Sequence, residues 1–183
     1  MSKVRLYEDI DGCLNASFNA RAWRDKDNPE DDGGYLRGHA EPQHNDRGED
    51  TGFPLGRYRM EWNSRLIEAL NTLDVEFVWA TTWRRDAFAV GKLMGLIHHP
   101  QRVLHPIEGF TSFPSIEWKW AAIVQEQEFN PSPFIAVDDE WDGVSTFKRE
   151  ALERMGGLLI SPDPNFGITP ADIEKMRAYV DRH

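Results

Sequence analysis

Short apolar runs recur along this chain, each flanked by residues at helical spacing. "VRLY" (4–7), "DVEFVWA" (74–80), "PFIAV" (133–137) and "GGLLIS" (156–161) read as strands, and "QRVLHP" (101–106), stopped by Pro106, as a weaker one. The run through Val75, Phe77, Val78 and Trp79 is apolar on both alternating faces, the pattern of a strand covered on both sides. Between the runs lie helical patterns: Trp62, Leu66, Ile67 and Leu70; Phe88, Leu93 and Leu96; Ile116, Trp120, Ile123 and Val124; Phe147, Ala151, Leu152 and Met155. A last helix starts at Thr169 as N-cap, with Pro170 and Asp172 in its first turn, and continues through Ile173, Met176 and Val180. Strand and helix in alternation predict an α/β fold, a parallel sheet with helices on both faces.

Residues 16–56 break this rhythm. They hold nine acids and five bases, with glycines and prolines but no sustained periodicity. A connection this long predicts an irregular cap or lid-like insert over a site, within one domain spanning residues 1–183.

In an open α/β sheet, ligands bind beyond the carboxyl ends of the strands. Asp9 and Asp11 follow the first run, Thr81 and Thr82 the second, Asp138 and Asp139 the fourth. With the first strand in the middle, these pairs share one rim. Carboxylates so close repel one another, and a hard divalent cation such as Mg²⁺ relieves that repulsion. One acid can then attack phosphorus while a neighbour moves the proton. Thr81, Thr82 and Lys119 would hold the oxygens of the transferred group, and Gly12 lets the backbone turn sharply beside it. Arg84 could reach a substrate phosphate. The sequence "DIDG" also matches the opening of a calcium loop, but Ala20 stands where that loop needs its last glutamate.

Four stretches in order, "YEDIDGCLN", "VWATTW", Lys119 in "SIEWKW" and "IAVDDEWD", resemble the motifs of the haloacid dehalogenase-like (HAD) superfamily. "VWATTW" and "LLISPDPNFGITPADIEKM" are most similar to HAD domains associated with RNA-repair proteins. The resemblance implies a three-layer Rossmann-like fold and a Mg²⁺-dependent phosphomonoester hydrolase working through an aspartyl-phosphate. Asp9 would be the nucleophile and Asp11 the general acid and base. Thr81, assisted by Thr82, would bind phosphoryl oxygens, and Lys119 would steady the nucleophile. Asp138 and Asp139 would complete the metal site with Asp9 and Asp11, the last through its backbone carbonyl. It also implies a nucleotide or a nucleic-acid end phosphate as substrate. Glu8 departs from the apolar residue that precedes the nucleophile in that superfamily, and Asp142 follows Asp139 more closely than a further acid there does.

Two other functions fit the same residues: a HAD-like binding or regulatory module with little turnover, and a phosphotransferase with an acceptor other than water. The formal charge of -10 disfavours an extended duplex as partner. A direct run from the first strand into acids, with no long apolar segment, predicts a cytoplasmic protein and no membrane partner. Cys13, the one cysteine, excludes an intrachain disulfide and reads as packed. His98, His99 and His105 show no zinc spacing and read as structural. Trp118, Trp120 and Trp141 read as core rather than as stacking partners for a base.

Overall fold

The computed structural model describes residues 3–45, 49–98, 101–107 and 115–183; His99 lies outside them. Five strands form one parallel sheet: β1 (Val4–Glu8), β4 (Val75–Trp79), β5 (Arg102–Val103), β6 (Phe134–Val137) and β7 (Gly157–Ile160), in the order β5-β4-β1-β6-β7. β1 lies in the middle, Leu6 opposite Phe77 on one side and Ile135 on the other. The three inner strands, β4, β1 and β6, are buried on both faces because both are covered, and the edge strands β5 and β7 are mostly half-buried. Val4, Leu6, Phe77, Trp79 and Ile135 pack against α2 (Ser64–Asn71), α3 (Ala87–Met94) and α6 (Pro170–Val180). Tyr7, Val78, Phe134 and Ala136 pack against α4 (Ser115–Phe129) and α5 (Thr146–Arg154). The three-layer α/β architecture is thus the one that the alternating pattern predicts.

The segment expected to be irregular has structure of its own. It holds a short helix, α1 (Asn19–Ala22), and a strand, β2 (Tyr35–Ala40), that pairs antiparallel with β3 (Tyr58–Asn63). The residues of β2 are mostly exposed or half-buried, so no apolar alternation marks it. Trp62 therefore belongs to β3 and not to the helix that follows; that helix starts at Ser64, capped by the Asn63 side chain, which accepts from the Leu66 amide at 3.0 Å. The expected face of α3 is also corrected. Phe88 and Leu93 point outward, and Ala87, Val90, Gly91 and Met94 face the sheet. A side chain at Gly91 would come within 2.7 Å of the Trp79 ring, so the helix docks on its small residues and leaves the larger ones outside. Phe147 of α5 is likewise exposed, and Leu152 carries that helix's burial.

Candidate active site

Backbone hydrogen bonds past the strand ends fix the rim. The Asp9 amide donates to Val137 O (3.1 Å), the Ala80 amide to Glu8 O (2.8 Å) and the Asp138 amide to Ile160 O (3.1 Å). The side chains after β1 and β6 are thereby held at one level. Lys119 reaches them from α4 and is buried between two carboxylates, donating to Asp9 Oδ2 at 2.8 Å and to Asp138 Oδ2 at 2.5 Å. The second oxygen of Asp138 accepts from the Glu140 amide at 3.0 Å.

Asp139 completes the group from the other side. One carboxylate oxygen each from Asp9, Asp138 and Asp139 lies within 4.8 Å of the others. An octahedral Mg²⁺ with bonds near 2.1 Å places its ligand oxygens about 3 to 4 Å apart, so small side-chain adjustments suffice to hold one there. Gly12 makes room for this arrangement: its φ is +73°, and a Cβ on it would meet the Asp139 carboxyl carbon at 2.4 Å.

The electrostatics show a surplus of negative charge at this rim. Glu8, Asp9, Asp138 and Asp139 face the one ammonium of Lys119. Burial, and then the Asp9 charge, push Asp138 up to about 7 against the opposing pull of Lys119. Burial and Asp9 raise Asp139 too. Burial alone would lower Lys119, but Asp9 and Asp138 outweigh it and hold its pKa above the ordinary lysine range. Burial and the same carboxylates push the Cys13 thiol up, in keeping with a packed residue and not a nucleophile.

Asp11 stands apart from the three grouped carboxylates. It is exposed, one oxygen accepting from Asn15 Nδ2 and the other from the indole N–H of Trp83, both at 2.8 Å. It faces a cleft of about 240 Å³ lined by Asn15, His44, Tyr58, Arg59, Thr82 and Trp83 among others. Trp83 meets Tyr58 edge to face at 5.5 Å between ring centres. The insert is tied to this cleft through Asp86, which accepts from the Gln43 and His44 amides (3.1 and 2.9 Å) and from the His44 ring (2.9 Å).

The remaining expected site residues divide. Thr81 is buried, its hydroxyl accepting from the Trp83 amide at 3.4 Å, and Thr82 lies in the cleft wall. Arg84 is not among the residues lining that cleft; its guanidinium lies 4.3 Å over the Trp118 ring. Trp118 and Trp141 are buried core residues, Trp120 is half-buried against Lys148, and Asp142 is exposed and paired with Arg149. His98 bonds the Leu70 carbonyl and stacks on Phe77, a structural role. Trp83, Asn15 and Tyr58 escape a reading of the sequence. The only signal is that Trp83 closes the threonine stretch "VWATTW", where it reads as another apolar residue.

A carboxylate just past the central strand, a helix lysine bridging it to Asp138 past the neighbouring strand, and a three-layer parallel sheet define a HAD-like protein. The chain belongs to the family described as the HAD domain in Swiss Army Knife RNA repair proteins, whose model matches residues 6–173. That membership supports a phosphohydrolase-type function in general terms. No curated protein and no solved structure gives a significant match. No helix among the described residues is long and apolar enough to cross a membrane.

Proposed function

We propose that the protein is a Mg²⁺-dependent phosphomonoester hydrolase acting on a nucleotide or a nucleic-acid end phosphate, in the cytoplasm. The observation that carries this reading is the buried Lys119 ammonium shared between Asp9 and Asp138 with Asp139 alongside. Asp9, Asp138, Asp139 and the Asp11 carbonyl would hold the ion, which when bound supplies positive charge beside the phosphoryl oxygens. Residues 16–56, with β3, act as a cap that walls the cleft within a single domain.

The Asp9 carboxylate attacks phosphorus, the bond from phosphorus to the ester oxygen breaks, and Asp11 gives that oxygen a proton. Asp11 then takes a proton from water as the water oxygen attacks the aspartyl-phosphate, releasing phosphate and restoring Asp9. Lys119 fixes one Asp9 oxygen and offsets charge on the transferred group, while Thr81 and Thr82 donate to its oxygens. Gly12 lets the backbone pass close to the reacting group. Arg84 would bind a substrate phosphate only by leaving Trp118. The leaving group departs toward the cleft that Asp11 faces, where Tyr58 and Trp83 offer aromatic surface to a base.

The test is phosphate release with Mg²⁺ from an aryl phosphate, mononucleotides and oligonucleotides phosphorylated at either end. Asp9→Asn should lose ~10³-fold or more of the rate. Turnover retained by that variant refutes the assignment. Glu8, a buried carboxylate beside the nucleophile, favours a second reading in which the fold binds metal and nucleotide with little turnover. Calorimetric binding of Mg²⁺ with no phosphate released from any ester would select that reading.

A further inference from the structure

In a β-hairpin, residues paired across the strands share a face and faces alternate along each strand. The register of β2 on β3 therefore sorts the hairpin into two sides. Leu36, Gly38 and Ala40, opposite Trp62, Met60 and Tyr58, form the side that carries the buried Trp62, Met60 and Ala40. Arg37 and His39, opposite Glu61 and Arg59, form the other, and Arg37, His39 and Arg59 are all exposed.

This face differs in sign from the molecule. The chain carries a net charge of -10, yet two arginines, Arg37 and Arg59, stand together here beside His39 with Glu61 as the acid among them. Glu61 is already engaged by Arg59 and by the Tyr35 hydroxyl, the latter at 2.8 Å. Arg37 and His39 have no ion pair among the described residues. Glu41, at the strand's end, is taken up by Arg57 at 3.8 Å.

The face is continuous with the active site. Arg59 borders the depression of about 390 Å³ formed with Arg37, Gly38 and His39, and it also lines the cleft that Asp11 faces. β3 is fastened to the Asp11 loop, because the Glu61 amide donates to Asn15 Oδ1 at 2.9 Å and the Ala16 amide to Glu61 O at 3.2 Å. Arg37 and Arg59 are diagonal neighbours across the hairpin, about 7–8 Å apart, a spacing of the order of successive phosphates in an extended chain.

We propose that this face of the hairpin binds the phosphodiester backbone of a single-stranded nucleic acid whose terminal phosphate occupies the Asp9 site, an inference that rests on the phosphomonoesterase reading. A mononucleotide has no second phosphate to place there. A duplex would carry many phosphates against an otherwise acidic surface. RNA and DNA share the backbone chemistry, and the face reads charge and spacing, not bases.

The experiment measures anisotropy of labelled, end-phosphorylated octanucleotides of RNA and of DNA at pH 7.5 with Mg²⁺, using Asp9→Asn to prevent turnover. Binding is then read whether or not the wild type releases phosphate, which the assay above reports separately. At least one octanucleotide should bind at least tenfold tighter than the matching mononucleotide, by competition at low salt. Arg37, whose charge no ion pair offsets among the described residues, should contribute about -0.7 to the slope of log affinity against log salt, and Arg37→Gln should remove that contribution. Arg37→Gln together with Arg59→Gln should abolish the discrimination between octanucleotide and mononucleotide. Octanucleotides binding no tighter than the mononucleotide, or a slope that both substitutions leave unchanged, would overturn the proposal.

Discussion

Neither carboxylate oxygen of Glu8 has a hydrogen-bond partner among the described residues, although the side chain is fully buried. Burial, then the charges of Asp9 and Asp138, push its pKa well above the ordinary glutamate range, with Lys119 opposing. An unpartnered buried carboxyl costs about 1–3 kcal/mol of stability, and an apolar side chain of similar size removes that penalty. Glu8→Met should therefore raise the unfolding free energy by about 1–3 kcal/mol in urea without Mg²⁺. A lower value in the variant would mean that the carboxyl is held by a partner after all. That Glu8 is anomalous is legible in the sequence, where it makes a third acid within four positions. Its burial is not legible, because a glutamate at the carboxyl end of a strand is expected to turn its charge out to solvent even where the strand itself is covered. The grouping of Asp9, Lys119 and the 138/139 pair is legible in the sequence because each follows a strand or matches a motif. Trp83 is missed because its link to Asp11 is one indole N–H, and nothing local in the sequence records that aim.

At the scale of elements, the sheet strands and the C-terminal helix are legible because burial on two faces or a capped amphipathic pattern leaves a mark. β2 leaves none, since it gains its order from pairing with β3 and from the tether of Asp86 to Gln43 and His44. The N-terminus of α6 shows how much a local signal can carry. Thr169 and Asp172 form a capping box, the Asp172 carboxylate accepting from the Thr169 amide at 3.1 Å and from Lys175 at 2.8 Å. Burial alone would raise this carboxyl, but Lys175 and Thr169 outweigh it and hold its pKa below the ordinary aspartate range. A depressed folded-state pKa gives stability that is present above the unfolded value, near 4, and is lost as pH falls through the folded value. Asp172→Ala should then cost about 1 kcal/mol at pH 7, and the gap from the wild type should narrow as pH drops below about 4. Urea denaturation of both proteins across that range checks it. A gap that is constant with pH would show that the carboxylate's charge contributes nothing to the cap.

Across the whole molecule, charge is handled differently at the two ends of the sheet. At the amino ends of the strands Arg5 and Arg102 both bond Glu76, at 3.1 and 2.8 Å, and Arg102 and the Tyr7 hydroxyl share Glu126. Acids and bases balance there. At the carboxyl ends Asp9, Asp138 and Asp139 with Glu8 outnumber Lys119, and the surplus is what a bound cation would relieve. Ligand binding to the folded state alone stabilises by RT ln(1 + [L]/Kd), about 2.7 kcal/mol at a hundredfold excess over Kd. For a domain of this size that is a rise of about 5–10 °C in the thermal midpoint. Mg²⁺ should produce such a rise where NaCl of matched ionic strength does not, because screening alone brings no charge into a buried group. Asp139→Asn should lose most of the shift, since it removes a ligand charge while leaving the Lys119 bridge between Asp9 and Asp138 in place. An equal rise in that variant, or none in the wild type, would separate the acidic group from metal binding and leave its surplus charge without a counterion.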